Sequence, residues 1–176
     1  MPILRPAQST DLPEIQEIYA HHVTNGLASF EEEAPDLAEM TRRFDTLRAA
    51  GYPYIVAAEG AGGPVLGYAY AGPYRARRAY RFTVENSIYI RQELRRGGLG
   101  RLLLPALIDE SAARGYRQMI AVIGDSANAP SIGLHAAFGF KTIGTLPSIG
   151  FKFGRWVDSV LMQRSLGAGD NEPPKD

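Results

Sequence analysis

The chain contains no cysteine. That removes a disulfide framework, a thiolate zinc site and a cysteine nucleophile from consideration, and it fits a reducing compartment such as the cytoplasm. No lysine precedes Lys141. A phosphate-binding loop of the Gly-Lys-Ser/Thr type is therefore excluded from everything upstream of it. Charge of one sign is not in excess either: 19 Lys and Arg balance 19 Asp and Glu. Nothing global draws the protein to nucleic acid or to a membrane surface. No apolar stretch approaches the roughly 20 residues of a membrane span. The opening residues, Met1 to Pro6, lack the basic and apolar regions of a signal peptide. The three histidines, His21, His22 and His135, do not have metal-ligand spacing, so no metal site is expected.

What is present is a chain of 176 residues, 45% hydrophobic, which suits one globular domain with a sizeable core. We place that domain at residues 1–166 and a flexible tail at 167–176, where the composition turns polar with Gly and Pro. Leu4 to Ala7 reads as a strand. Thr10 or Asp11 then caps a helix with Ile15, Ile18, Tyr19 and His22 on one face. Asp36 followed by Glu39 resembles a capping box that opens a second helix. Tyr54–Glu59 and Val65–Ala71 flank a Gly-rich turn as a hairpin, and Tyr80–Ile90 reads as a long strand. A helix with Leu99, Leu102, Leu103 and Leu107 in its apolar stripe follows, kinked or started early to accommodate Pro105. Gln118–Ile123, a helix over 130–138 stopped by Gly139, and strands at Phe140–Leu146 and Trp156–Arg164 complete the series. Helices come early, then a hairpin, then strand–helix–strand–helix–strand. This order predicts one α/β (α+β) layer fold.

Charge is balanced overall but not locally. Eight arginines lie between Arg75 and Arg101, opposed there only by Glu85 and Glu93. A solvated face with ion pairs is the plain reading of such a run. An anion site is the functional one, because guanidinium forks match phosphate and carboxylate. The segment Arg95-Arg96-Gly97-Gly98-Leu99-Gly100-Arg101, directly after a long strand and before a helix, favours the second. Its glycines let backbone approach a ligand, and amides converge at the positive helix end. A dinucleotide fingerprint does not fit, since no glycine follows Gly100 at the required spacing.

The spacing Arg/Gln-x-x-Gly-x-Gly resembles the pyrophosphate motif of the GNAT acetyltransferases. A second element agrees: Asn128-Ala129-Pro130-Ser131, with Leu134, His135, Gly139 and Phe140, is similar to that superfamily's other coenzyme A motif. Further segments around Phe30, Arg75 to Tyr80, Thr83 to Ile90 and Gly150 to Asp158 resemble the branch that acetylates phosphinothricin and methionine sulfoximine or sulfone. The resemblance implies the GNAT acyl-CoA N-acyltransferase fold, a mixed central sheet flanked by helices, with acetyl-CoA as cosubstrate and a homodimer as the assembly. It implies that Ile88, Tyr89 and Ile90 offer backbone to the pantetheine and the thioester oxygen. Arg95, Arg96, Gly97, Gly98, Leu99, Gly100, Arg101, Asn128 and Ser131 would hold the rest of the coenzyme. Glu85 would accept the amine proton or recognise the amine, and His135, where many relatives carry tyrosine, would return a proton to the thiolate. Arg75 and Arg77, two apart and facing one way in extended chain, would clamp a substrate carboxylate. Phe30 would wall the substrate pocket and Lys152 would touch the substrate.

The reading is thus an N-acetyltransferase acting on the α-amine of a small amino-acid analogue, in the cytoplasm, with neither nucleic acid nor membrane as partner. Two alternatives stay open: acetylation of a protein N-terminus, which the paired Arg75 and Arg77 argue against, and a non-catalytic coenzyme A-binding regulatory module.

Overall fold

The computed structural model describes residues 2–95 and 97–174. Among them, the strands β1 (Ile3–Pro6), β2 (Tyr54–Ala58), β3 (Val65–Pro73), β4 (Thr83–Ile90), β5 (Gln118–Gly124), β6 (Lys141–Lys152) and β7 (Arg155–Ser165) form one sheet. Its order is β1-β2-β3-β4-β5-β7-β6. Every neighbouring pair is antiparallel except β4 and β5, which run parallel. The parallel pair needs a crossover, and α3 (Leu99–Ala113) supplies it. The other helices are α1 (Leu12–Asn25), α2 (Leu37–Ala49) and α4 (Ala129–Ala137). The mixed sheet flanked by helices is the expected fold class.

Both faces of the sheet are covered, and the alternation along β2 shows how. Val56 joins Ile15, Val23, Phe44 and Tyr68 in the core beneath α1 and α2. Its neighbours Ile55 and Ala57 join Leu103, Leu104, Leu107, Met119 and Met162 in the core beneath α3. All of β2 is therefore buried, as an interior strand clothed on two sides must be.

Local chemistry sets the element ends. Asp36 caps α2 by accepting from Glu39 N at 2.8 Å. The reciprocal half of the box is absent, because the Glu39 carboxylate is spent on Arg42 and Arg43. Asp11 stands at the start of α1 without capping it; its carboxylate binds the Arg5 guanidinium with two bonds, 2.7 and 2.8 Å, and the Gln8 amide. The Arg5 bonds hold the Asp11 carboxyl below the usual carboxylate range. α3 runs through Pro105 and begins only at Leu99. Gly139, at φ 82°, stops α4.

The largest departure from the sequence reading lies at the far edge. β6 was expected to end at Leu146, before Pro147, yet it continues to Lys152. The pairing with β7 shifts register between Leu146 and Gly150, and Ser148 sits there at φ 52° with its amide on the Asp158 carboxylate at 2.9 Å. An edge strand tolerates proline at such a bulge because one side of it makes no ladder. The hairpin then turns at Phe153 and Gly154, with φ 51° and 71°. Two positive φ values match the twist of the strands, but a phenylalanine in that role is unusual. The start of β4 also moves: Arg78–Tyr80 forms a 3₁₀ turn, so the strand opens at Thr83.

Candidate active site

β4 and β5 pair only at one end. Thr83–Asn86 lie beside Gln118–Ala121, and beyond Asn86 and Ala121 the ladder stops. Each strand stays paired on its outer side, β4 with β3 to Ile90 and β5 with β7 to Gly124. The two strands therefore part like a V, and backbone edges face the gap. A cavity of about 990 Å³ fills it. Ser87, Ile88, Tyr89 and Ile90 line one arm, and Val122, Ile123 and Gly124 line the other.

The first amides of α3 open on the same cavity. Gly98 precedes the helix at φ 83°, a conformation glycine adopts without a Cβ penalty. The amides of Leu99 and Gly100, the first two helical residues, have no intrahelical acceptor. Arg95, Gly98, Leu99, Gly100 and Arg101 all line the cavity. Gly100 is tightly bound into the wall: a Cβ there would meet the Leu134 side chain at 2.9 Å. Arg96 lies outside the described residues. Gly97 does not line the cavity; its amide closes a turn on Leu94 O at 3.1 Å. Asn128 and Ser131 join from the start of α4, where the Asn128 side chain caps the helix on Ser131 N at 3.3 Å.

At the point where the strands part lie the titratable groups. Glu85 lines the cavity one residue before Asn86, and burial alone pushes its carboxyl above the usual carboxylate range. His135, on α4, is buried against the same point. Its Nδ1 lies 2.8 Å from Ser131 O, so Nδ1 carries a proton. Its Nε2 lies 3.0 Å from Asn86 Oδ1, and the Asn86 amino group is committed to Ile120 O at 3.1 Å. Two acceptors thus flank the ring, a pattern that only the doubly protonated imidazolium satisfies in full. Burial opposes that charge and pushes the histidine below its usual value. The ring is poised between the two.

One cleft thus gathers Phe30, Glu85, Ile88, Tyr89, Ile90, Arg95, Gly98, Leu99, Gly100, Arg101, Asn128, Ser131 and His135. Other expected residues are not in it. Arg75 and Arg77 lie in the β3–β4 connection, exposed and outside the cavity lining. Arg77 itself is extended, at φ −71° and ψ 136°, and a 3₁₀ turn begins only after it, at Arg78. Arg75 rests over the Tyr74 ring. Their loop leaves β3 at Pro73, opposite Val84 and one register step from Glu85. Lys152 is also outside the cleft. It is 2% exposed, and its ammonium donates to three carbonyls, Val23, Gly26 and Ser29, at 2.7, 2.9 and 2.7 Å. Those bonds use every proton the ammonium has, so contact with a substrate is replaced by a tether between the β6–β7 hairpin and the loop after α1.

Sequence reading overlooked several lining residues. Tyr19, His22 and Tyr70 face the cavity. Helical spacing had marked Tyr19 and His22 as a buried face, which they are. His22 donates from Nε2 to Ile90 O at 2.8 Å and so fixes the end of the β4 arm. Nothing in helical periodicity distinguishes that role from packing. Among the described residues, no group of three or more His, Cys, Asp or Glu is placed to hold a metal, and no helix is long and apolar enough to cross a membrane.

Known proteins share this architecture. Residues 4–161 match the model of the acetyltransferase (GNAT) domain. A phosphinothricin N-acetyltransferase of Alcaligenes faecalis is 53% identical over 98% of this chain and 86% of its own. An L-methionine sulfoximine/L-methionine sulfone acetyltransferase of Pseudomonas aeruginosa is 45% identical over 97% of this chain and 98% of its own. The crystal structure of a GNAT superfamily phosphinothricin acetyltransferase from Sinorhizobium meliloti in complex with AcCoA superimposes with a TM-score of 0.95 at 48% identity, covering 99% of this chain and 94% of that one. With its V-shaped gap, glycine turn and second coenzyme motif in one cleft, the chain belongs to the GNAT acetyltransferase family.

Proposed function

We propose that the protein transfers the acetyl group of acetyl-CoA to the α-amino group of a small amino-acid analogue of the phosphinothricin, methionine sulfoximine or methionine sulfone type. The observation that carries this is the position of Glu85: a half-buried carboxyl with a raised pKa at the apex of the same gap whose far end is the amide cradle of α3. The coenzyme's pyrophosphate meets Gly98, Leu99 and Gly100 with Arg95 and Arg101 beside it. Its pantetheine follows the free edge of β4, which brings the thioester to the apex. Names of the relatives supply the acceptor class.

The chemistry is direct. An acceptor amine enters as ammonium and passes a proton to Glu85, itself or through a water. The freed lone pair attacks the thioester carbon, a C–N bond forms, and the oxygen takes the charge under backbone amides of the β4 arm. Collapse breaks the C–S bond and expels thiolate. The nitrogen must shed a second proton on becoming an amide, and His135, held between Ser131 O and Asn86 Oδ1, relays that proton to sulfur by taking it up as imidazolium and releasing it to the thiolate. Holding both reactants in the gap supplies much of the acceleration.

The acceptor's carboxylate is assigned to Arg75 and Arg77, whose loop stands beside the Glu85 end of the cleft. A second copy of the chain accompanies this reading. The hairpin presents Ile149, Phe151, Phe153 and Trp156 outward, each more than half exposed. Such a patch is costly to leave in water. A symmetric dimer would cover it and bring further residues to the arginine loop.

The test is a thiol-release assay with purified protein, acetyl-CoA and each of the three acceptors. The protein has no cysteine of its own to react with the thiol reagent. Turnover with at least one acceptor is expected; turnover with none overturns the acceptor class. Failure of an α-amidated acceptor to react separates this reading from acetylation of a protein N-terminus, and sedimentation measures the dimer.

A further inference from the structure

The buried lysine has no part in the reaction just described, yet burying an ammonium costs free energy unless it is met in full. Lys152 lies near the end of β6, and strand alternation puts Gly150 on the same face. That face is turned to the loop between α1 and α2, whereas Ile149 and Phe151 look outward. Lys152 gathers the carbonyls of Val23, Gly26 and Ser29, the last turn of α1 and the start of the loop. One residue further along is Phe30, which lines the cleft and is 40% exposed to it and to solvent.

The Phe30 ring rests on two glycines. A Cβ at Gly150 would stand 2.5 Å from Phe30 Cε2 and 2.7 Å from Cδ2. A Cβ at Gly124, at the end of β5, would stand 3.0 Å from Phe30 Cε1 and 2.0 Å from Leu27 O. The ring therefore lies flat where two strands carry no side chain. The loop behind it is held at other points too. Tyr19 Oη meets Ser29 Oγ at 2.9 Å and donates to Glu31 at 2.8 Å, and Arg43 binds Glu31. Gln16 holds Pro35 O at 3.0 Å. This is a wall built to stay in one place, which is what discrimination between similar side chains requires.

We propose that Lys152 and Gly150 are positioning residues through which the β6–β7 hairpin fixes the Phe30 ring, and that this fixed ring sets the size of acceptor side chain the cleft admits. The inference rests on the acceptor reading given above. Lys152 sets the height of the loop, Gly124 and Gly150 set the depth of the ring, and the ring walls the cleft along the β5 arm.

Gly150→Ala tests it with little risk to the fold. The three atoms nearest its new methyl all belong to the Phe30 side chain, and β6 is extended there. Pushed off its seat, the ring moves into the cleft. Methionine sulfone and ethionine sulfone, one methylene longer, are the probes. For Gly150→Ala the ratio of kcat/KM between the longer and the shorter acceptor falls by about tenfold, the size of effect one methylene produces in a fitted pocket. The KM for acetyl-CoA is unchanged. In a Phe30→Leu background the same substitution no longer shifts the ratio, because the ring it strikes is gone. Lys152→Met lets the loop move and brings the ratio towards unity, again at constant KM for acetyl-CoA. An unchanged ratio in Gly150→Ala, or an equal shift with and without the Phe30 ring, overturns the proposal. A proportional loss on every substrate in Lys152→Met would reduce Lys152 to a stabilising contact and overturn its part. If the unmodified protein acetylates neither probe, it is the acceptor reading that has failed, and the two failures are told apart before any variant is made.

Discussion

The two ends of the cleft are built from different materials. The coenzyme end is backbone: the free edge of β4, the left-handed Gly98 and the unpaired amides of α3. The acceptor end is side chains: Glu85 pushed up by burial, Phe30 on its two glycines, and a loop tied down by Lys152 and Tyr19. In the proposed reaction, backbone donors bind what every substrate shares, the pyrophosphate and thioester, and side chains bind what differs between acceptors. Such a division lets one coenzyme site serve varied amines, and it predicts that damage to each end has its own kinetic signature.

The largest effect belongs to Glu85. Glu85→Gln removes the proton acceptor with little change of shape, and kcat/KM should fall by about 10²- to 10⁴-fold in a steady-state assay. The same substitution should raise the melting temperature, since a carboxylate in a partly buried place opposes folding at neutral pH. Loss of both activity and stability would mean that Glu85 makes a structural contact instead.

The pH dependence follows from the same group. The base works only when ionised, so kcat/KM falls as pH drops through a value above the usual carboxylate range. Stability moves the other way. A carboxyl whose pKa is higher in the folded than in the unfolded chain binds its proton better when folded, so the destabilising increment is present above the folded pKa and fades as pH falls towards the unfolded value. The melting-temperature advantage of Glu85→Gln should therefore shrink on acidification. An advantage that grows instead would reverse the sign of the shift.

At the coenzyme end the effects are smaller. Gly98 holds φ 83°, and an alanine there costs about 1–2 kcal/mol of backbone strain. Among the described residues a Cβ at that position meets nothing within 4 Å, so strain is the penalty expected. The KM for acetyl-CoA should rise while the KM for the acceptor stays constant, as measured by varying each substrate at saturation of the other. A shift in the acceptor KM would show that the two ends are coupled.

How much of this was legible in the sequence follows the same division. The coenzyme end could be read because its requirements are local: glycines at fixed spacing, a strand before and a helix after, all within Ile88 to Arg101. The order of elements gave the layer fold for a similar reason. The acceptor end was read from types of residue, and there the long-range geometry decided. Lys152 looked like a substrate contact, but its ammonium reaches carbonyls 123 to 129 positions away in sequence. Arg75 and Arg77 lie exposed in the β3–β4 connection ahead of a 3₁₀ turn at Arg78–Tyr80, and the β4 ladder starts three residues later than the apolar pattern suggested. Gly150 entered only as the first residue of a segment that resembles the family. A glycine in a strand announces a close approach but not what approaches. β6 runs past Pro147 to Lys152, which an edge strand permits and the local sequence does not announce.

The smallest effect tests whether the acceptor wall depends on what stands behind it. Asp36 closes the loop that carries Phe30 and caps α2 by accepting from Glu39 N. Asp36→Ala removes that bond and should cost about 1 kcal/mol, a fall in melting temperature of roughly 2–4 °C for a chain of this size. Selectivity between methionine sulfone and ethionine sulfone should not move. The loop keeps Lys152 on Ser29 O, Tyr19 on Ser29 and Glu31, and Gln16 on Pro35 O, none of which passes through the cap. Arg43, in the second turn of α2, still reaches Glu31 from a helix frayed only at its start. A selectivity change on losing the cap would mean that α2 positions the Phe30 wall as much as the hairpin does, and control of the acceptor end would then be shared between two sides of the sheet.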